Sequence, residues 1–192
     1  MINNPVPKSP SGFNCVDQAR TTWLERADVC ADILSTLAAE CRRELSVADV
    51  GCGDQKLREA LRARGVRVRY TGFDLVPQSA EVQSFDVRHD RFTNEHDVIV
   101  MLGVIEYLDG LHAVLERLSV QATHLVLSHV VRRDEHYTSA MLSRLGWINH
   151  LSDNELSTIL NNSGYVIAAQ RLTPDGRTVV LACVSRSGAK AT

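Results

Sequence analysis

Apolar residues recur at helical spacing from Asp17 to about Leu45. Leu24, Ala27, Ala31, Leu34, Leu37 and Ala38 share one face, with Arg and Glu between them. The pattern predicts one amphipathic helix with room for a single break. Val47-Ala48-Asp49-Val50 then reads as a short buried strand stopped by Gly51-Cys52-Gly53. Gln55 to Arg64 places Leu57, Ala60 and Leu61 on one helical face, with Gly65 where a C-terminal cap belongs. Val66 to Phe73 is a second strand closing on Asp74, Glu81 to Val87 a short third, and Asp97 to Leu102 a buried fourth. Leu111, Val114, Leu115 and Leu118 mark another helix, and His124 to Val131 a fifth strand.

A polar stretch, Arg132 to Tyr137, follows. Ser152-Asp153-Asn154-Glu155 has the pattern of a capping box opening a helix, and Gly164 closes that helix. Tyr165 to Leu172 and Thr178 to Ser185 are strands, joined through the turn signal Thr173-Pro174-Asp175-Gly176. So short a link forces them antiparallel, since a parallel crossover needs about a dozen residues or more. Strand–helix alternation argues a sheet covered by helices on both faces. The expected fold is therefore α/β: a seven-stranded mixed sheet, mostly parallel, with a C-terminal antiparallel hairpin. Residues 1–14 read as a flexible N-terminal arm and 15–192 as a single domain.

Composition narrows the function classes. A chain of 192 residues, 44% hydrophobic and 23% charged, suits one globular domain. A net charge of −2 gives no basic field for nucleic acid. No apolar run approaches the roughly 20 residues that span a bilayer. Met1 to Phe13 lacks the apolar core of a signal peptide. Cys15, Cys30, Cys41, Cys52 and Cys183 are scattered without a C-x-x-C pair, so neither a disulfide framework nor a structural metal site is expected. Free thiols point to a cytoplasmic location.

Two features carry chemistry. Glycines between a strand and a helix let backbone approach a ligand, and the helix start beyond offers free N–H groups. Asp74 closes the next strand about 20 residues on, where a carboxylate can accept from both hydroxyls of a ribose. Together they predict a nucleoside-binding crevice. A dinucleotide is the weaker fit: Lys56 stands where the third small residue of that fingerprint belongs, and Asp49 and Asp54 would oppose a pyrophosphate. Carboxylates there suit a ligand with a sulfonium and an amino group.

The order Val47-Ala48-Asp49-Val50-Gly51-Cys52-Gly53, Gly72-Phe73-Asp74, Ser84-Phe85-Asp86-Val87 and Asp97-Val98-Ile99-Val100-Met101-Leu102-Gly103-Val104-Ile105-Glu106-Tyr107-Leu108 resembles the class I S-adenosylmethionine-dependent methyltransferases, over about residues 45–185. The resemblance implies a Rossmann-like fold, a transferase activity and S-adenosyl-L-methionine as cofactor; no metal ligands are expected. By position it implies that Asp49, Gly51, Cys52 and Gly53 line the methionine and ribose, and that Asp74 takes the ribose hydroxyls. Phe73 and Leu75 would flank the adenine, with Asp86 and the Val87 backbone near its amino group. Leu102, Gly103 and Val104 would approach the methionine end, and Glu106 would support that loop. The chain departs from the family pattern where Gln55 replaces a third glycine. It departs again after the second and third strands, where the connections leave little or no room for helices.

The acceptor side is read from position alone. His129 ends the fifth strand and Tyr107 follows the fourth, making both candidate catalytic groups; His150 is a third. Arg132 and Arg133 would hold an anion, or else form a solvated loop. Trp147 reads as a core anchor. A low aromatic content and these arginines favour a small-molecule acceptor such as a sugar or other anionic metabolite over a flat aromatic. Cover for it must come from the N-terminal arm with Phe13, the first helix with Arg20 and Trp23, or the Arg132–His150 insertion. A partner subunit is the other source, which would make a homodimer. The competing reading is a non-catalytic cofactor-binding partner that regulates another protein.

Overall fold

The computed structural model describes residues 21–132 and 138–188. The proposed arm, with Phe13 and Arg20, lies outside the described residues, as do Cys15 and Arg133. Helix α1 (Thr21–Cys41) runs unbroken into β1 (Leu45–Val50), followed by α2 (Lys56–Ala63), β2 (Val68–Asp74), β3 (Val82–Ser84) and β4 (Val98–Leu102). A 3-10 turn (Ile105–Tyr107), α3 (Leu111–Leu118), β5 (His124–Val130), α4 (Ser139–Leu145), α5 (Asp153–Asn162), β6 (Tyr165–Leu172) and β7 (Thr178–Ser185) complete the chain. The strands form one seven-stranded sheet in the order β3-β2-β1-β4-β5-β7-β6. β1 to β5 are parallel, and β7 inserts antiparallel between β5 and β6.

All six residues of β1 are buried, because helices cover both faces of this parallel centre. Its side chains alternate between two cores. Leu45 and Val47 pack with Ala27, Cys30 and Leu34 of α1 and Leu57 and Leu61 of α2. Ala48 and Val50 pack with Leu115 and Leu118 of α3 and Leu156 and Leu160 of α5. The capping box at Ser152 and Glu155 forms and starts α5 as its residues demand. Among the described residues no helix is long and apolar enough to cross a membrane.

The connections after β2 and β3 contain no helix. Phe73, Phe85 and Phe92 fill that space instead. Phe85 stacks on Phe92 at 4.6 Å between ring centroids, and Phe73 meets both rings, at 5.1 and 5.2 Å. The insertion after β5 holds a helix the hydrophobic pattern did not announce. Thr138 caps α4 through its side chain, and Gly146 ends it in the left-handed region.

Candidate active site

In this strand order the chain winds outward in opposite directions from β1 and β4, so their carboxyl ends face a crevice where ligands characteristically bind such sheets. Gly51, Cys52 and Gly53 turn there. The Gly51 and Cys52 N–H groups both donate to the Phe73 carbonyl, at 2.8 and 3.1 Å. Gly51 has φ 71°, and a Cβ on it would collide with Val104. Glycine is therefore required at 51 for packing as well as for backbone geometry. Gln55, which stands where the family pattern has a third glycine, adopts a glycine-like conformation with φ 63° and ψ 37°. Its Oε1 accepts from Arg58 Nη1 at 3.1 Å. Asp54 is paired with Lys56.

Asp74 joins this loop to β2. Its Oδ2 accepts from the Gly53 N–H at 2.9 Å and its Oδ1 from the Val76 N–H at 3.0 Å. Each oxygen keeps a further lone pair, so the carboxylate is held in place yet able to accept from two hydroxyls. Leu75 and Val76 beside it are exposed apolar side chains. Phe73 is buried in the aromatic cluster, turned away from that surface. The Asp86 carboxylate is engaged by Nε and Nη2 of Arg88, which holds its pKa well below the usual carboxylate range. The Val87 carbonyl accepts from Arg117.

Asp49 is buried beneath the loop, where its Oδ2 accepts from the Tyr70 hydroxyl at 2.6 Å. Burial pushes its pKa up to about 7 against the lowering effect of that bond, and the nearby Asp74 charge adds to the rise. Burial and the neighbouring Asp49 raise Tyr70 far above its ordinary value, so its hydroxyl stays a donor.

A cavity of about 170 Å³ has Gly103 in its lining. Thr22, Trp23 and Arg26 of α1 line it, together with Gly103, Glu106 and Tyr107 after β4 and Val130 at the end of β5. Leu145 and Trp147 of the insertion and Asp175, Arg177 and Thr178 of the β6–β7 hairpin close it. The Gly103 N–H donates to Ser128 Oγ at 2.8 Å, and Trp23 and Arg26 occupy the space a Cβ at 103 would fill. Trp147 Nε1 donates to the Tyr107 hydroxyl at 2.9 Å. Sequence patterning reached Trp23, Tyr107 and the insertion as neighbours of this region but passed over Arg26 and the hairpin turn. The one local signal was the i,i+3 spacing of Trp23 and Arg26, which sets them on one helix face.

His129 does not line this cavity. It is 1% exposed, and its Nε2 accepts from the Leu151 N–H at 3.0 Å. The same Nε2 lies 3.1 Å from the Leu151 carbonyl, and Nδ1 lies 3.6 Å from Glu106 Oε1. Glu106, equally buried, accepts at Oε1 from the Val130 N–H at 3.0 Å. Its carbonyl accepts from the N–H groups of Ile148 and Asn149. The pair thus clamps the 3-10 turn to β5 and to the insertion. Arg132 is paired with Glu155 at 2.8 Å on the surface, and the His150 ring lies 5.8 Å from that of Trp147.

A family model described as a methyltransferase domain matches residues 22–170. No curated protein matches the sequence. Among solved structures, magnesium protoporphyrin IX methyltransferase from Synechocystis PCC 6803 with bound SAM aligns with a TM-score of 0.61. It is 17% identical, over 84% of this chain and 79% of that one. Mitomycin 7-O-methyltransferase aligns at 0.62 with 15% identity, over 85% of this chain and 54% of that one. An O-methyltransferase from neocarzinostatin biosynthesis, in complex with S-adenosyl-L-homocysteine and 1,4-dihydroxy-2-naphthoic acid, aligns at 0.55 with 18% identity, over 83% and 56%. The chain spans about half the length of these last two. At such identities the likeness is one of fold.

Proposed function

The chain belongs to the methyltransferase-domain family, and on that premise we propose that it transfers a methyl group from S-adenosylmethionine to a small anionic acceptor. The donor supplies a methyl already activated on a sulfonium, so the protein's work is chiefly orientation and exclusion of water. The observation that carries this reading is the Asp74 carboxylate. It is tied to the glycine loop through the Gly53 N–H and retains one lone pair on each oxygen for a ribose diol.

In this reading Leu75 and Val76 cover the adenine. Gly51, Cys52 and Gly53 follow the ribose and methionine, with Asp49 below them as a carboxyl group close to ionisation. Asp86 and Val87 edge the adenine side, Asp86 through a carboxylate already shared with Arg88. Leu102, Gly103 and Val104 form the wall between donor and acceptor. Tyr107 faces the acceptor, and His129 acts as a positioning residue beneath it.

Calorimetry with S-adenosylhomocysteine and with NAD tests the proposal. Binding of the first and not the second is expected. Asp74→Ala should weaken it by about 1–3 kcal/mol, the scale of hydrogen bonds to a charged group. NAD binding without any response to S-adenosylhomocysteine would overturn it.

A further inference from the structure

Both tryptophans of the chain, Trp23 and Trp147, line the cavity that includes Gly103. They come from segments more than a hundred positions apart in sequence. Tyr107 adds a third ring, held by Trp147 Nε1. Three of the ten aromatic residues of the chain thus stand where the acceptor would lie. Such walls favour a flat ring over a sugar. A cavity of about 150 Å³ is known to hold one benzene, so the 170 Å³ here matches a single substituted ring.

The polar groups of the cavity are incompletely satisfied. Arg26 is 7% exposed, and its Nε is buried without a partner. Among the described residues its one hydrogen bond runs from Nη2 to Thr178 Oγ1, at a long 3.5 Å. Its guanidinium carbon lies 4.5 Å from the centre of the Trp23 ring, which fixes the plane of the fork. A buried guanidinium with idle donors is costly unless an anion completes it. Asp175 feels the Arg26 charge but makes no hydrogen bond to it. Asp175 Oδ1 accepts from Thr173 Oγ1 and from the Arg177 N–H within its own turn. Glu106 Oε1 is committed to Val130 N–H, while its Oε2 is buried and lacks a partner. The cavity therefore presents a planar cation short of hydrogen-bond acceptors, and aromatic walls.

We propose that the acceptor is a single-ring aromatic acid bearing a hydroxyl or amino group. Its carboxylate lies on Arg26, and its ring sits among Trp23, Tyr107 and Trp147. This rests on the methyl-transfer reading given above. The same guanidinium would also suit the carboxylate at the amino-acid end of the donor, since Gly103 lines the cavity beside it.

Three probes and two variants test the assignment. Because both tryptophans face the cavity, their emission reports binding of 3-hydroxybenzoate, its neutral counterpart 3-hydroxybenzyl alcohol, and the non-aromatic cyclohexanecarboxylate. The wild-type protein should bind the hydroxybenzoate about ten-fold or more tightly than either of the others, the scale of charge-assisted hydrogen bonds. Arg26→Met should bring acid and alcohol to equal affinity while leaving S-adenosylhomocysteine affinity unchanged. Arg26→Lys, which keeps the charge without the fork, replaces it if the Met variant melts early, and should retain only part of the preference. No preference for the acid in the wild-type protein overturns the inference, as does a full preference surviving in the variant. Weakened S-adenosylhomocysteine with unchanged 5′-methylthioadenosine, which lacks the amino-acid end, assigns Arg26 to the donor and equally overturns it. If S-adenosylhomocysteine fails to bind the wild-type protein, the methyl-transfer reading itself falls, whichever acid is preferred.

Discussion

Asp49 shows how one residue sets function against stability. Its carboxyl is buried, and its pKa stands at about 7 in the fold against 3.8 for a free side chain. The folded state therefore holds the proton more tightly than the unfolded chain. As pH rises from about 4 to 7 the unfolded state releases it first, and the fold loses stability across that window. A difference of this size corresponds to about 4 kcal/mol at neutral pH and above. Asp49→Asn keeps an oxygen to accept from the Tyr70 hydroxyl but has no charge to bury. Thermal melts should show the variant more stable than the wild-type protein at pH 8 and equal to it below about pH 4. Donor affinity should fall in the same variant, because a carboxylate near a sulfonium and an ammonium favours the bound cation. A flat stability difference across pH would mean that Asp49 titrates as an ordinary surface acid.

At the scale of elements, strands and helices with regular patterns were legible because each buries its own local face. The seven strands, the alternation and the hairpin follow from short runs of residues. So do the glycine loop and Asp74, which are neighbours across adjacent strands β1 and β2. Helix α4 was hidden because its face is mostly exposed and its start lies in a polar stretch. The cavity of Trp23 and Trp147 was hidden for a different reason. Its walls come from 22–26, 103–107, 130, 145–147 and 175–178, and no local period links those segments. His129 illustrates the same limit. A histidine at a strand end reads as a candidate base, yet its Nε2 is spent on Leu151 and its Nδ1 faces buried Glu106. His129→Ala should strand the Leu151 N–H and leave a void, costing about 2–4 kcal/mol in chemical denaturation. Once an acceptor is in hand, turnover per folded molecule should stay within about threefold of wild type. A general base would instead account for about 10² to 10⁴ in rate, so a loss of that size would restore His129 to the chemistry.

On the proposed reading, the switch between β1 and β4 divides two jobs across the whole molecule. The donor side depends on β1, β2 and β3, the acceptor side on β4, β5, β7 and the segments folded over them. The donor side has no helix after β2 or β3, and β3 pairs with β2 through only three residues. What holds that edge is the aromatic plug, and it is coupled to the donor site: the Phe85 N–H donates to the Asp74 carbonyl at 2.9 Å. Phe85→Ala removes the ring that stacks on Phe92 and leans on Phe73. The expected loss is about 3–5 kcal/mol of stability, the usual scale for deleting a buried aromatic ring. With Asp74 less firmly placed, S-adenosylhomocysteine should bind several-fold more weakly. The tryptophan response to 3-hydroxybenzoate should be unchanged at temperatures where the variant is folded, because no plug residue reaches the cavity of Trp23 and Trp147. Denaturant titration, calorimetry and tryptophan emission on one variant separate these effects. A stability loss under about 1 kcal/mol would show that the edge is held by something other than the plug. Equal weakening of both ligands would show that the two sides of the sheet do not act as separate halves.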